Sequence, residues 1–581
     1  MDGSLLKPVC ARARQILIAL VMIAPLSTYA AAPILRDQSI FHPEVSSKGM
    51  VATQHYLASQ VGAEILAAGG NAVDAAVAVG FALAVVLPRA GNLGGGGFMM
   101  IHLVEGNKTI AIDYREMAPA KAYRDMFLDA SGDVDSNKSR FSHAAAGVPG
   151  TVAGLIHVQE KYGVLTLDKV LQPAIGLAEF GFAVSNDLSQ KLHLYEHLQK
   201  NPATVKAYFS ADGRAYKPGE ILKQADLAWS LKQILKNGAA AFYRGEIAQR
   251  IVAEMERADG LITLADLNNY RVVERQPILG NYRGYQVASM PPPSSGGVHL
   301  VQMLNVLEHV PLREYGYGSA SSIHWMVESM KRAYADRSKY LGDPDFTPVP
   351  VTAITDPVYA QAIYKSISAD RATPAREVQP ATDLVDESRD TTHYSIMDSQ
   401  GNAVANTYTL NFSFGSGITV PGTGILLNNE MDDFSSKPGV PNAYGLLGAE
   451  ANSIAQGKRP LSSMTPTLVF KDSKPWLVTG SPGGSRIITT TLQAIVNTID
   501  YDMNVAAAVS VPRFHNQWLP DKVFFEKGFS PDTLSIMQAK GHNVLQVRAM
   551  GSAQSVMWEA GQFYGAADPR KPDAKAIGPA R

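Results

Sequence analysis

The segment Asp390–Asp398, with the sequence DTTHYSIMD, decides the fold of this chain. It follows a polar, proline-containing run that starts at Thr373, and it changes at once to the alternation expected of a β-strand. A turn at Ser399–Asn402 leads to a second alternating run, Ala403 to Asn411. The pattern predicts a β-hairpin whose first residue is a threonine.

The position of Thr391 at the start of this hairpin indicates covalent chemistry. A loop that ends abruptly at a hydroxyl residue, followed by a buried strand, suggests a chain that cuts itself between Asp390 and Thr391. After the cut, Thr391 would carry both a nucleophilic hydroxyl and a free α-amine that acts as its base. Threonine is also favoured in ordinary strands, so these residues alone leave the purely structural interpretation open.

Three later motifs favour the catalytic interpretation. They read NNEMDDF at 428–434, RPLSSMTPT at 459–467 and TGSPGGSR at 479–486. Together with the hairpin they closely resemble the small subunit of bacterial γ-glutamyltranspeptidases, which belong to the N-terminal-nucleophile hydrolases. The resemblance runs from about Phe41 to the C-terminus. It implies an α+β fold, a four-layer αββα sandwich shared by two subunits cut from one chain.

The amino terminus has the features of a secretory signal peptide. Lys7, Arg12 and Arg14 precede the apolar run Ile16–Leu26, which is short for a membrane span, and Ala30-Ala31-Ala32 offers cleavage after Ala30 or Ala32. We therefore expect export to the periplasm or the medium, without a membrane anchor after signal removal. The predicted division is a signal peptide at 1–32, a large subunit at 33–390 and a small catalytic subunit at 391–581.

Composition excludes several classes of function. The only cysteine, Cys10, precedes the apolar run of the signal peptide, so disulfides, thiol catalysis and cysteine metal sites are excluded from the exported chain. A formal net charge of −1 favours neither nucleic acid nor an anionic membrane surface. No metal-ligand spacing or cofactor motif is present in the sequence, and we expect neither a metal nor a cofactor.

Local patterns predict further elements. A helix is expected over Ala72–Val86 with Asn71 as its N-cap, and the glycine run Gly91–Gly97 is expected to allow close backbone approach, because it lacks the Lys-Ser/Thr of a phosphate loop. A single strand is expected over Tyr282–Val287. The polar residues of the helix around Met326–Tyr340, which are Tyr334, Asp336 and Arg337, are interpreted as a structural cluster.

The length of the hairpin loop determines whether Thr409 on the second strand lies opposite Thr391 on the first. If Met397 lies opposite Ala403, Thr391 lies opposite Thr409 and shares its face of the sheet. If Asp398 pairs with Ala403 instead, Thr391 meets Leu410. The resemblance requires the first register, because the threonine of the family's Tyr-Thr-Leu-Asn motif, here Thr409, hydrogen-bonds the nucleophile. His393, beside the expected cut, is interpreted as structural.

The resemblance also implies a site for the α-carboxylate of the substrate. Arg115, in the motif Asp-Tyr-Arg-Glu-Met-Ala-Pro, corresponds to the residue that holds this carboxylate in the family. A guanidinium suits the task because its planar fork donates two parallel hydrogen bonds. Ser462 and Ser463 would add hydroxyl donors beside it, although a simple Ser-Ser turn would look the same in the sequence.

The substrate ammonium is expected at a second set of residues. In the family, Asn411 corresponds to a contact of the α-amino group and Asp433 to an acidic one, while Glu430 stands where some bacterial members have glutamine. The segment Lys437–Gly445, rich in turn residues, resembles the lid loop of lid-bearing members, and Tyr444 would be its gate.

Gly483 and Gly484 lie between a predicted strand and the apolar helix Arg486–Ile499. Backbone N–H groups at a helix N-terminus bind anions, and glycine allows a substrate to approach them. We expect these two residues to form the oxyanion hole of an acyl-transfer reaction, although a tight turn without a function would have the same sequence.

The resulting hypothesis is a self-processed enzyme that acts on glutathione and other γ-glutamyl compounds. Thr391 would accept the γ-glutamyl group and pass it to water or to the amine of an amino acid or dipeptide. A glutaryl or cephalosporin-type acylase of the same fold is the alternative enzyme. Glu430 and Asp433 argue against it, because a glutaryl group has no ammonium. An uncleaved, inactive γ-glutamyl-binding protein is the alternative outside enzymes.

Overall fold

The computed structural model describes residues 39–378, 391–440, 442 and 445–580. The expected signal peptide at 1–32, Asp390 on the amino side of the expected cut, and the expected gate Tyr444 lie outside the described residues. Residues Phe41–Arg581 group into one compact unit.

Most strands belong to two large sheets. In chain order the strands are β1 Glu44–Ser46, β2 Gly49–Thr53, β3 Gly96–Leu103, β4 Lys108–Tyr114, β5 Phe182–Ala183, β6 Ile221–Leu222, β7 Val273–Arg275, β8 Ile278–Tyr282, β9 Tyr285–Ser289, β10 Thr391–Asp398, β11 Ala403–Thr409, β12 Thr419–Val420, β13 Ile425–Leu426, β14 Thr467–Lys471, β15 Lys474–Thr479, β16 Phe514–His515, β17 Val523–Phe525, β18 Val544–Gln546, β19 Gln554–Glu559, β20 Gln562–Ala567 and β21 Lys575–Ile577.

The helices complete the element order. They are α1 Tyr56–Ala67, α2 Ala72–Val86, α3 Ser136–Phe141, α4 Thr151–Tyr162, α5 Leu167–Phe180, α6 Asn186–Leu194, α7 Pro202–Tyr208, α8 Ala225–Asn237, α9 Ala240–Tyr243, α10 Glu246–Arg257, α11 Leu264–Asn269, α12 Gly296–Leu307, α13 Leu312–Tyr315, α14 Ala320–Tyr340, α15 Val351–Ile354, α16 Pro357–Ser366, α17 Arg486–Ile499, α18 Val505–Ser510 and α19 Pro531–Ala539.

Two seven-stranded antiparallel sheets face each other in the described part of the chain. The nucleophile sheet, named for Thr391, has the order β21-β2-β10-β11-β3-β4-β7, and the companion sheet has the order β1-β20-β19-β15-β14-β9-β8. Strands β2 and β10 of the first pack against β19 and β20 of the second. The predicted α+β class is therefore confirmed, with Thr391 at the start of a central strand.

An apolar layer separates the two sheets, and helices cover their outer faces. Met100 and Met397 of the nucleophile sheet meet Leu468 and Val556 of the companion sheet in one buried cluster. Helices α1 and α2 pack on the nucleophile sheet, whereas α12 and α18 pack on the companion sheet. Burial on both faces gives each sheet a fixed register, because a slip by one residue would turn every side chain to the wrong face.

The predicted helix over Ala72–Val86 is confirmed to the residue. The Asn71 side chain accepts hydrogen bonds from the N–H groups of Val73 and Asp74, and the Asp74 carboxylate accepts one from the Asn71 N–H, forming a capping box. Every residue of this helix is buried, which explains its alanine-rich composition. Proline at position 88 follows the helix end, as the sequence suggested.

The single strand predicted over Tyr282–Val287 is wrong. Residues Arg283 and Gly284 have φ angles of 50° and 82° and form a two-residue turn between β8 and β9. Positive φ at both central positions is the geometry of a type I′ hairpin turn, and Arg283 is an unusual residue there. The sequence signal was weak because Arg-Gly lacks the Asn or Asp that normally marks such turns.

The glycine run allows close backbone approach, as predicted. A Cβ atom at Gly95 would lie 2.0 Å from the Thr409 carbonyl oxygen, and one at Gly97 would lie 2.5 Å from the Thr407 carbonyl oxygen. Strand β3 can therefore lie directly against β11 only if these residues lack side chains.

The polar run from Thr373 to Asp390, whose composition predicts an exposed tail, is held at its beginning. The Thr373 N–H donates to buried Glu328 (3.1 Å), and the Trp518 indole donates to the carbonyl oxygens of Ala375 (3.0 Å) and Val378 (2.8 Å). The prediction of exposure is therefore wrong for Ala375, which is buried, and correct for Arg376 and Glu377, which are exposed. Buried side chains on α14 and near β16 bind the backbone of this segment. The rest of the predicted tail lies outside the described residues.

Candidate active site

Strands β10 and β11 bring the two threonines together. Met397 pairs with Ala403 and Thr391 with Thr409, so the predicted register is confirmed and the alternative with Leu410 is excluded. The Thr391 and Thr409 hydroxyl oxygens lie 3.3 Å apart. The Asn411 N–H donates to the Thr409 hydroxyl oxygen (2.8 Å), which leaves the Thr409 proton able to point at Thr391.

A pocket opens at this end of the sandwich. Its walls come from residues before and after the expected cut. They are Arg115, Arg337, Thr391, Thr409, Asn411, Glu430, Asp433, Leu446, Leu461, Ser462, Ser463, Met464, Gly484 and Ile487. Nine of the residues predicted from the sequence therefore lie around one cavity, and Gly483 precedes the lining residue Gly484.

Arg115 binds the acidic residues directly. Its guanidinium pairs with Glu430 through Nη1 and with the Asp433 carboxylate through Nη2 at 2.5 Å, and Glu116 lies 3.4 Å from Nη1. The group expected to bind the substrate carboxylate therefore contacts the groups expected to bind its ammonium. This arrangement was not predicted from the sequence.

Burial shapes the charge of these acids. It raises the pKa of Glu430 well above its usual value and that of Glu116 to about 7, while Arg115 opposes both shifts. Three carboxyl groups around one guanidinium therefore compete for its charge. A ligand that brings an ammonium group would relieve this competition.

Asn411 is held by the neighbouring turn. Its φ angle is 76°, and its amide nitrogen donates to the Asn429 carbonyl oxygen at 3.0 Å. Asparagine tolerates this left-handed conformation better than most residues. With the nitrogen engaged, the amide oxygen is the group that would accept from a substrate ammonium. Residues Glu430–Asp433 form a single 3₁₀ turn directly after Asn429.

Ser462 and Ser463 lie on the opposite wall, where Arg337 approaches them. Arg337 donates to the Ser463 hydroxyl (3.3 Å) and to the Ser295 hydroxyl (3.0 Å), and the Ser295 N–H donates to the Ser462 carbonyl oxygen (2.8 Å). Arg337 is 5 % exposed. Its interpretation as part of a structural cluster is therefore incomplete, because the side chain lines the pocket.

A sequence signal for Arg337 existed. Met326, Met330 and Ala333 are buried in α14, and Arg337 continues the same stripe at helical spacing. A cation on an otherwise apolar stripe needs a buried partner, and that requirement points to a site rather than to solvent. The sequence also missed four apolar lining residues, which carry no such signal: Leu446, Leu461, Met464 and Ile487.

The Gly483–Gly484 turn precedes α17. The two φ angles are 134° and 56°, conformations that favour glycine. Neither N–H donates a hydrogen bond to another described residue. The Tyr334 hydroxyl donates to the Ser485 carbonyl oxygen, so a hydrogen bond from α14 helps to fix the position of this turn. The turn can therefore present two N–H groups to an anion.

His393 is a structural residue, as predicted. Its ring nitrogens contact the hydroxyl groups of Thr407 (2.8 Å) and Ser395 (3.0 Å) inside the sandwich. A Cβ atom at Gly480 would lie 2.4 Å from the ring, so the two sheets close tightly around it. Burial lowers the pKa of His393 to about 3, which keeps the ring neutral.

The loop after Asp433 covers part of the pocket. Leu446 lines the cavity, and the Lys437 ammonium donates to the Gly132 carbonyl oxygen (2.8 Å).

Among the described residues there is no cluster of three or more His, Cys, Asp or Glu side chains that could hold a metal ion. None of the helices within the described ranges is long and apolar enough to cross a membrane.

Comparisons with known proteins agree with this arrangement. The family model described as gamma-glutamyltranspeptidase matches residues 58–578. The chain is 55 % identical to the glutathione hydrolase proenzyme of Escherichia coli (strain K12), covering 97 % of this chain and 99 % of that protein.

Two solved structures are also similar. The cephalosporin acylase from Bacillus halodurans is 27 % identical, with a TM-score of 0.82, over 95 % of this chain and 99 % of that one. The Helicobacter pylori gamma-glutamyltranspeptidase is 47 % identical, with a TM-score of 0.55, over 56 % of this chain and 93 % of that one.

Proposed function

Because the chain belongs to the γ-glutamyltranspeptidase family, we propose that Thr391 is the nucleophile of a self-processed glutathione hydrolase and γ-glutamyltransferase. The observation that carries the assignment is the position of Thr391. It starts a buried strand, lies opposite Thr409 and borders the one pocket that also contains Arg115, Asp433 and Gly484.

Acyl transfer follows from the chemistry of an amino-terminal threonine. The Thr391 hydroxyl oxygen attacks the γ-carbonyl carbon of glutathione, and its proton passes to the α-amine that self-cleavage exposes. The carbon–nitrogen bond then breaks as the departing cysteinylglycine amine takes this proton. The resulting γ-glutamyl ester reacts with water, or with the amine of an amino acid or dipeptide, by the same steps in reverse.

Exchange of ion pairs accounts for recognition of the γ-glutamyl group. The α-carboxylate replaces Glu430 and Asp433 at Arg115, while the α-ammonium pairs with the two released acids and with the Asn411 amide oxygen. A ligand that carries both a carboxylate and an ammonium thereby gives a new partner to Arg115 and to each of the two acids that it displaces. Ser462 and Ser463 add hydroxyl donors on the carboxylate side.

The Gly483 and Gly484 N–H groups would bind the oxyanion of the tetrahedral intermediate. Such donors act in a water-poor site and are worth roughly 3–4 kcal/mol each in the transition state. The lid segment around Lys437–Gly445, with Tyr444 as its gate, would exclude water from the pocket while the amide bond is attacked.

Maturation would divide the four-layer αββα fold between two subunits. The large subunit would comprise residues 33–390 and the small one residues 391–581, intertwined as a heterodimer. Support comes from the β10–β11 hairpin, which starts at Thr391 and lies between β2 and β3, two strands that would belong to the other subunit. We propose a periplasmic location on the signal-peptide features of residues 1–32.

A cephalosporin-type acylase is the second candidate, favoured by the similarity to the Bacillus halodurans structure. A glutaryl group would occupy the carboxylate end of the pocket equally well. It would leave Glu430 and Asp433 without the ammonium that their positions suit. The identity to the glutathione hydrolase proenzyme is also twice as high as that to this acylase.

The proposed cut and nucleophile are tested by Thr391→Ala. Self-cleavage and glutathione hydrolysis should both be abolished, because alanine has no hydroxyl. The measurements are denaturing electrophoresis and amino-terminal sequencing of the small fragment, which should begin at Thr391 in the unchanged protein. An active uncut protein, or a fragment that begins elsewhere, would contradict the assignment.

Thr392 offers a matched control. It is fully buried, and its hydroxyl has no hydrogen-bond partner among the described residues. In an extended strand its side chain points to the face opposite that of Thr391. Thr392→Val, of nearly equal shape, should therefore cut itself and hydrolyse glutathione like the unchanged protein.

A further inference from the structure

Arg337 is a buried cation without an acidic partner. No carboxylate of the described residues lies within ion-pair distance of its guanidinium, whereas the other arginine of the pocket, Arg115, pairs with Glu430 and Asp433. A buried charge is costly unless something balances it. Perturbed, unbalanced charges of this kind collect at functional sites, where a ligand supplies the partner.

The hydrogen bonds of Arg337 determine the direction of the Ser463 hydroxyl. A guanidinium has only donors, so the Ser463 oxygen must be the acceptor of the 3.3 Å contact from Arg337 Nη2. The Ser463 hydroxyl donates to none of the described residues. Since Ser463 lines the pocket, its own proton is available to an acceptor that enters the pocket.

We propose that Arg337 is a positioning residue for the substrate α-carboxylate, acting through Ser463. By donating to the hydroxyl oxygen it makes Ser463 a donor toward the pocket, and it places a positive charge on this wall with no described carboxylate in ion-pair contact. The inference rests on the proposed function, because it assumes a substrate with an α-carboxylate. It adds a residue of α14, far from the motifs that mark the site in the sequence.

The competing explanation is that Arg337 only fastens α14 to the Ser295–Ser462 connection. Its Nε–H donates to the Ser295 hydroxyl at 3.0 Å, and that hydroxyl donates to the Ser462 carbonyl oxygen at 2.8 Å. Loss of these hydrogen bonds would disturb the whole wall of the pocket. It would therefore lower the activity toward every acyl group, with or without a carboxylate.

The test compares the steady-state kinetics of Arg337→Met and the unchanged protein on two p-nitroanilides. The γ-glutamyl compound carries the α-carboxylate, and the 4-aminobutyryl compound has the same chain, amine and leaving group without it. We expect kcat/KM for the γ-glutamyl compound to fall by about tenfold or more, mainly through KM. The 4-aminobutyryl compound should change by less than about threefold, because no carboxylate is there to lose a contact.

Lys339 is the control for loss of a positive charge from the same helix. It is exposed and does not line the pocket, so Lys339→Met should leave both substrates unaffected. Equal losses on the two substrates in Arg337→Met would overturn the proposal. So would full additivity of Arg337→Met and Ser463→Ala, since a residue that acts through Ser463 should have little effect once the hydroxyl is gone.

Arg337→Lys supplies the test if Arg337→Met does not mature. Lysine retains the charge but lacks the planar fork that serves Ser295 and Ser463 together. An intermediate KM for the γ-glutamyl compound is expected, and an unchanged KM would overturn the proposal. Failure of the proposed function would be seen separately, as absence of p-nitroaniline release from the γ-glutamyl compound by the unchanged protein.

Discussion

Arg115 illustrates how much of this site depends on single residues. Its guanidinium is fully buried and contacts three carboxyl groups, those of Glu116, Glu430 and Asp433. We propose that the residue has two roles, as the counter-charge of these acids and as the ligand of the substrate carboxylate. Mutations of this group should consequently affect folding and substrate binding in separable ways.

Asp433→Asn should separate the two candidate enzyme activities. Loss of the charge-assisted contact to the ammonium, worth about 1.5–3 kcal/mol, should lower kcat/KM for γ-glutamyl amides by roughly tenfold to over a hundredfold. Glutaryl amides have no ammonium, so their cleavage should be unchanged or faster. Both acyl groups are measured with one leaving group.

The neighbouring residue provides the control for this charge change. Asp432 is buried against Ser139 and Arg140 and does not line the pocket. Asp432→Asn should therefore affect both acyl groups equally, whatever it does to stability. Parallel losses in Asp433→Asn would show that Asp433 supports the fold and does not bind the ammonium.

Arg115→Ala should both raise KM for γ-glutamyl substrates and destabilise the protein. Removing one partner of a buried ion pair typically costs about 3–5 kcal/mol, because the remaining charge is left uncompensated. Addition of Glu430→Gln should restore part of the lost stability, but not the KM. Arg115→Lys should recover KM only in part, since it lacks the fork.

The measurements are the urea midpoint and steady-state kinetics of the single and double variants. A double variant no more stable than Arg115→Ala would show that Glu430 does not depend on Arg115 for its charge balance. An unchanged KM in Arg115→Ala would show that the residue does not bind the substrate carboxylate.

Among the elements, the β10–β11 hairpin has the most exacting geometry. Its loop is organised by Asp398, whose carboxylate accepts from the N–H groups of Gln400 (2.9 Å) and Asn402 (3.0 Å) and from the Ala72 N–H at the start of α2 (2.9 Å). One side chain thus sets the loop that places Thr391 opposite Thr409, and it ties that loop to a buried helix.

Asp398→Ala should therefore impair maturation from a distance. The buried N–H groups of Ala72 and Asn402 would lose their acceptor, at roughly 1–3 kcal/mol for each group left unsatisfied, and the Gln400 N–H would lose its own. We expect a less stable precursor and slower self-cleavage, measured as conversion to two bands over time. Gln400→Ala, in the same loop but exposed, should cleave at the normal rate. Normal cleavage in Asp398→Ala would show that strand pairing alone maintains the register.

At the scale of the whole molecule, buried neutral histidines link stability to pH. Burial lowers the pKa of His299, His393 and His515 to about 3, in different parts of the sandwich. In the unfolded chain each would protonate near pH 6.5. Between pH 6.5 and about 3 the unfolded state therefore binds more protons, and the folded state loses stability as the pH falls.

The free energy of unfolding should thus be at its full value above pH 6.5 and decline below it, by up to about 1.4 kcal/mol per pH unit for each such histidine. The measurement is the urea midpoint of the mature protein at pH 7.5, 6.5 and 5.5. His299→Gln should flatten this decline, whereas exposed His309→Gln should not. An equal slope in His299→Gln and the unchanged protein would contradict the argument.

The sequence by itself determined the local features of this protein. The bounds of α2, its N-cap at Asn71 and the close backbone approach at the glycine run follow from rules that act over a few residues. Two hairpin registers were possible by such rules, and only the resemblance favoured the one that the structure has. The motifs after Thr391 also indicated the family, which the comparisons confirm. Nine of the residues predicted for the site line one pocket, although their individual roles stay predictions.

Only the tertiary structure decided which charges meet. The pairing of Arg115 with Glu430 and Asp433, the approach of Arg337 to Ser463, and the anchoring of residues 373–378 join segments far apart in the chain. A sequence pattern reports which face of an element is buried, but not what lies against it. The partner of a buried charge depends on how helices and sheets pack, and that packing is a property of the whole chain.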